Sequence, residues 1–199
     1  MADWQVPSKR WLAALSVGFL GAPAAWAVPT LTVAAMPQPA LVGSTVSVGV
    51  SINDIAGLYA WQFNLSFDPA VLQFASAIEG SFLSSAGGTF FDGGTVDNVA
   101  GTISFAVDTL IGPVPGASGS GLVSSFVFNV AAAGTSPITF SNVLFIDSQL
   151  LTIGVQSVDG SVMAAAVPEP TSAVLMGLGL ALGVAGLALR RQRAASHAA

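Results

Sequence analysis

From Thr45 to Asp68 the chain alternates apolar with small or polar residues for most of its length. Val46, Val48, Val50 and Ile52 alternate with Thr45, Ser47, Gly49, Ser51 and Asn53. Trp61, Phe63, Leu65 and Phe67 alternate with Ala60, Gln62, Asn64, Ser66 and Asp68. A period of two places each set on one face of a strand, and a helix would scatter both sets around its circumference. Ile103, Phe105 and Val107 repeat the pattern against Thr102, Ser104, Ala106 and Asp108, as do Phe126, Phe128 and Val130. The pattern predicts further strands at Leu31 to Ala35, Val71 to Ala77, Ile138 to Phe140, Val143 to Ile146, Leu151 to Ser157 and Ser161 to Ala164. Turn chemistry separates them at Asp54 to Gly57, Asp68-Pro69, Gly87-Gly88, Asp92-Gly93-Gly94 and Asp159-Gly160. No amphipathic helix of useful length interrupts the series. The expected fold is all-β, an antiparallel two-sheet sandwich, with a closed barrel as the alternative.

The basic residues are confined to the two ends. Lys9 and Arg10 come first, Arg190, Arg191 and Arg193 last, and no Lys, Arg, His or Cys lies between Trp11 and Leu189. The stretch 28–166 carries Asp54, Asp68, Glu79, Asp92, Asp97, Asp108, Asp147 and Asp159 with no cation. It is of ordinary domain size and needs no disulfide. Its core must rest on apolar burial and backbone ladders. Nothing in it neutralises phosphate, so nucleic acid is excluded as a partner.

Each end carries an address. Lys9-Arg10, the apolar run Trp11 to Ala22 and the small residues Ala25 and Ala27 match a secretory signal helix, with signal peptidase cutting after Ala27. At the other end, Ser172 to Leu189 is uncharged and mostly apolar. Eighteen residues give roughly 27 Å of helix, near the thickness of a bilayer core. Arg190, Arg191 and Arg193 follow as a cytoplasmic stop. The expectation is one transmembrane helix, with a short cytoplasmic tail at 194–199. Pro168-Glu169-Pro170 stands just before it. Pro-Glu-Pro, an apolar helix and a terminal Arg cluster in this order resemble the PEP-CTERM sorting signal of Gram-negative bacteria, here spanning 167–193. That resemblance implies an inner-membrane-anchored precursor and recognition by an exosortase-type sorting protease. It also implies passage to the cell surface or an exopolysaccharide matrix.

The central stretch carries a second resemblance. Leu58-Tyr59-Ala60-Trp61-Gln62-Phe63-Asn64-Leu65-Ser66-Phe67-Asp68-Pro69-Ala70-Val71-Leu72 resembles the cohesin-like domains, in which an aromatic strand ends in Asp-Pro and Val-Leu opens the next strand. Val42-Gly43-Ser44-Thr45-Val46, Gly80-Ser81-Phe82-Leu83 and Asp159-Gly160-Ser161-Val162 fit the same pattern. The resemblance implies a jelly roll of about nine strands. It also implies a flat sheet face that meets a protein partner, to which this strand contributes. Asn and Asp commonly occupy two positions of that face, and Ala60 and Gln62 stand there instead. The outward residues Gln62, Asn64 and Ser66 form the candidate binding face. Tyr59, Phe90 and Phe91 are candidate stacking platforms for sugar.

Catalysis is poorly supplied. The one His, His197, lies beyond the apolar tail segment, so Ser-His-Asp and Cys-His chemistry have no base. A glycosidase-type pair would have to be drawn from Glu79, Asp92, Asp97 and Asp108. A calcium site from Asp92, Asp97 and Asn98 matches no EF-hand spacing. The expectation is an exported, non-catalytic interaction module without cofactor or resident metal. Its partner would be an envelope protein, or exopolysaccharide in the alternative reading. Intact mass of the secreted protein tests the two addresses: the expected species begins after Ala27 and ends near Pro168 to Pro170. A secreted species that retains Arg190 to Ala199 would refute the sorting assignment.

Overall fold

A computed structural model describes residues 27–167 and 175–182. Eleven strands and one helical turn make up the body: β1 (Thr30–Met36), β2 (Ala40–Leu41), β3 (Thr45–Ser66), β4 (Leu72–Glu79), α1 (Ser81–Ser84), β5 (Thr89–Asp92), β6 (Thr95–Asp97), β7 (Thr102–Leu110), β8 (Ala117–Val130), β9 (Gly134–Asp147), β10 (Gln156–Val158) and β11 (Gly160–Ala165). Residues 175–182 are helical. Among the described residues no helix is long and apolar enough to cross a membrane. The expected signal helix, including Ala25, lies outside the described residues, as do Pro168, Glu169, Pro170, Arg190, Arg191 and Arg193. The expected transmembrane segment falls partly within the described residues, at 175–182.

Strand β3 is the spine of both layers. Its first half, Thr45 to Ile52, runs between β1 and β8. Its second half, Ala60 to Ser66, runs between β7 and β9. One layer is therefore β10-β1-β3-β8-β4, and the other is β2-β11-β9-β3-β7, with β5 and β6 both paired to β7. The expected turn at Asp54 to Gly57 is instead a corner inside one 22-residue strand. Asp54 and Gly57 take positive φ, 56° and 68°, which bends the chain without ending it. The Asp54 N–H donates to Ser120 Oγ at 2.9 Å and the Gly57 N–H to Ser118 Oγ at 2.8 Å. Side chains of β8 thus replace the missing ladder bonds. The backbones pass so closely that a Cβ on Gly116 would lie 2.1 Å from the Gly57 carbonyl oxygen.

Several other expectations change in detail. The two strands foreseen at Ile138 and Val143 are one strand, β9, with a kink at Asn142, whose φ is 50°. Leu151 to Val155 is irregular apart from one bridge, Thr152 to Ile146, and only Gln156–Val158 forms a strand, β10. The pairings β1–β10 and β2–β11 are parallel, so the sandwich is not purely antiparallel. The short β2, β5 and β6 raise the count above nine, because two to four residues leave no periodic trace.

The largest change is in β7. The sequence places Phe105 and Val107 inside and Asp108 in water. A bulge opposite Phe63 to Leu65 reverses this. Phe105 takes φ 59°, and its N–H donates to Asn64 Oδ1 at 2.9 Å. One extra residue exchanges the two faces of everything after it. Ala106, Asp108 and Leu110 point inward, and Phe105 and Val107 point out.

Between the layers lies one apolar core. Trp61, Phe63, Phe126, Phe128 and Phe145 are its largest fully buried members. Trp61 and Phe63 stack with centroids 4.8 Å apart, and Phe63 meets the edges of Phe126 and Phe140. Phe63→Ala should therefore destabilise by about 3–5 kcal/mol. Gln62→Ala, on the outer side of the same strand, should cost about 0.5 kcal/mol or less. Denaturant melts of the two variants decide the strand phase, and equal losses would refute it.

Candidate interaction face

The outer side of the β9-β3-β7-β5 layer is built in rows fixed by register. Phe90, Thr109, Ala60 and Ile146 lie across from one another, and so do Asp92, Val107, Gln62 and Leu144. Phe105, Asn64 and Ser141 flank the bulge. This side is apolar: Phe105 is 62% exposed, Phe90 59% and Leu144 42%. Asp92 is the one charge in these rows. At the centre, Ala60, Gln62, Val107, Leu144 and Ile146 surround a shallow hollow of about 120 Å³. The outer side of the other layer differs. There Ser47 and Ser125 hydrogen-bond at 2.7 Å, and the Asn53 amide reaches the Thr30 carbonyl oxygen. Both outer surfaces leave apolar side chains in water, Ile78 and Leu122 on the second, but the exposed aromatic rings, Phe90 and Phe105, are on the first.

The structure places the candidate residues Gln62, Asn64 and Ser66 on this apolar side, with unequal freedom. Gln62 sits at the hollow. Asn64 holds the Phe105 bulge. The Ser66 hydroxyl bonds Thr139 Oγ1 at 2.5 Å. Phe105, Val107, Leu144 and Ile146 were missed as surface residues. The available signal was that β7 is apolar in both phases, Ala106 and Leu110 sharing the phase of Asp108. Among the aromatic platforms, Phe90 is exposed, but Phe91 packs against Trp61 with centroids 6.2 Å apart. The Tyr59 hydroxyl donates to the Gly112 carbonyl oxygen at 2.8 Å, beside a separate hollow of about 390 Å³ formed with the Gly112–Pro115 loop.

The acids are mostly occupied with backbone. Asp68 accepts from the Ala70 N–H, Asp92 from Gly94, Asp147 from Gln149 and Leu151, and Asp159 from Phe140. Asp97 accepts from Val99 and Ala100, the Ala100 bond being the stronger of the two influences that hold its carboxyl below the usual range. Asn98 is turned away from Asp97, its Oδ1 accepting from the Phe74 N–H at 2.8 Å. No group of three or more acids, His or Cys able to hold a metal occurs among the described residues. Asp108 departs from the expected solvated role. It is fully buried with neither carboxylate oxygen hydrogen-bonded. Burial first, and the Glu79 charge second, push its pKa up to about 7. The Thr109 N–H offsets part of this, yet stands outside hydrogen-bond geometry.

Comparison with known proteins bears on this geometry. No curated protein is significantly similar to the chain. Solved structures are similar in fold at low identity. A non-cellulosomal cohesin from the hyperthermophilic archaeon Archaeoglobus fulgidus superposes with TM-score 0.55 at 19% identity, over 73% of this chain and 96% of that one. A type II cohesin from an Acetivibrio cellulolyticus cohesin–X-dockerin complex gives TM-score 0.60 at 16% identity, over 69% and 99%. A cohesin from a type I cohesin–dockerin complex of Clostridium thermocellum gives 0.54 at 15%, over 70% and 95%. The Cohesin domain family model matches residues 32–164, from within β1 to near the end of β11, and the chain belongs to the cohesin domain family.

Proposed function

We propose that this chain is a non-catalytic interaction module that binds a protein partner through the outer side of its β9-β3-β7-β5 layer. The observation that carries the proposal is the contrast between its two outer surfaces. One shows isolated aliphatic side chains, Ile78 and Leu122, beside a Ser47–Ser125 hydrogen bond; the other exposes the rings of Phe90 and Phe105 together with Leu144 around a shallow hollow. Apolar area clustered on a rigid sheet marks a place where water is to be displaced. Family membership supports the same reading, since similar cohesins have been solved in complex with dockerins. Of the family's commonly polar positions, Ala60 is apolar here and Gln62 is uncharged, so the partner is recognised chiefly by shape and apolar contact.

The proposal extends to location. The signal-like N-terminus and the Pro168-Glu169-Pro170 tail with its Arg cluster support an exported module. Signal peptidase removes the first, and an exosortase-type protease reads the second. The module then acts at the cell surface or in the extracellular matrix of a Gram-negative bacterium. The second reading, a sandwich that holds exopolysaccharide, is favoured by the exposed rings of Phe90 and Phe105.

A pull-down from the cell envelope with Leu144→Asp and, as control, Ser76→Asp on the opposite layer tests the face. A charge placed among desolvated contacts should weaken capture about tenfold or more, whereas Ser76→Asp should leave it unchanged. Capture by Leu144→Asp equal to wild type would refute the face. Retention on polysaccharide in place of protein capture would favour the second reading.

A further inference from the structure

Asp108 lies between the layers directly behind the outer side just described. On its own row it stands between Trp61 of β3 and Phe91 of β5. From the opposite layer Glu79 of β4 faces it, and Ser124 of β8 is the cross-strand partner of Glu79. Trp61 Nε1 and Ser124 Oγ are buried without hydrogen bonds, as are both Asp108 oxygens. The Thr89 hydroxyl of β5 donates to Glu79 Oε1 at 2.5 Å and so ties the two layers. No cation is at hand: the described body contains no Lys, Arg or His. Trp61 and Phe91 do not titrate, and Glu79 is the charged group that acts on Asp108.

A buried carboxylate with no donor and no counter-ion is expensive, and a buried carboxylic acid is far less so. We propose that Asp108 and Glu79 form a proton-operated latch between the layers: with Asp108 protonated the β4–β5 edge is closed, and with both acids ionised that edge is driven apart. The inference does not depend on what the outer face binds. It is a property of the sandwich.

The direction follows from linkage. The folded value is about 7, against the ordinary 3.8 of an unperturbed Asp. Between them the folded chain keeps a proton that the unfolded chain has lost. The contribution of Asp108 to stability is therefore complete below about pH 4, declines as pH rises through the window, and is gone above the folded value.

Urea unfolding of the full-length chain in detergent, across this pH range, tests the latch in wild type and Asp108→Asn. The ratio of their unfolding constants should rise about tenfold per pH unit within the window and level off above it. A ratio independent of pH would overturn the proposal. Glu79→Gln provides a second test that survives misfolding of the first variant. Infrared spectra of wild type should show a buried carboxylic acid band that disappears as pH passes through neutrality. In Glu79→Gln the band should disappear at lower pH, because the repelling charge is gone. No such band in wild type, or one that titrates identically in Glu79→Gln, would overturn the pairing.

Discussion

The hydrogen bond from the Phe105 N–H to Asn64 Oδ1 fixes the bulge on which the apolar outer side of β7 and the buried Asp108 depend. Ahead of it, β7 follows the simple alternation and Ile103 is buried. Beyond it, the faces are exchanged. The exchange sends Phe105 and Val107 out to the surface and takes Asp108 in. A single inserted residue thus accounts for both unusual features of the domain, an apolar outer face and a carboxyl group in the core. Without it, Ala106 and Asp108 would join Thr102 and Ser104 on the outer side of β7, and the core would hold no carboxyl group.

Most of the architecture was legible in the sequence because the strands are long and their phase is plain. Val46 to Ile52 and Trp61 to Phe67 fixed the buried side of both halves of β3, and Asp68-Pro69 fixed the turn into β4. What escaped was where the period of two breaks without a break in the chain. Asp54 to Gly57 has turn chemistry, yet serine hydroxyls from β8 keep it inside the ladder. Asn142 similarly kinks β9 without ending it. Phe105 gave no local signal, being an ordinary strand residue in an unusual conformation. The polar candidates Gln62, Asn64 and Ser66 face outward, as their phase implies. The apolar neighbours that dominate that side were concealed, since exposed apolar residues and buried ones look alike in sequence.

A sandwich that holds eight acids and no cation needs some other source of positive potential. The backbone supplies it. Five of the aspartates lie where the chain turns or a strand begins, and each accepts one or two N–H groups. Their charge is used to fix turn geometry, so it is local and does not depend on long, mobile partner side chains. Asp108 has no such arrangement, which is why its ionisation is the costly one.

The same absence of cations has an effect beyond folding. Proteases of the trypsin class recognise Lys or Arg at the cut site, and from Trp11 to Leu189 this chain offers neither. Resistance to them is written into the covalent structure, and it persists even when the sandwich is transiently open. With no cysteine, the chain is equally indifferent to thiol oxidation and disulfide exchange. A module built in this way is closed to trypsin-class cleavage and to thiol chemistry through composition alone.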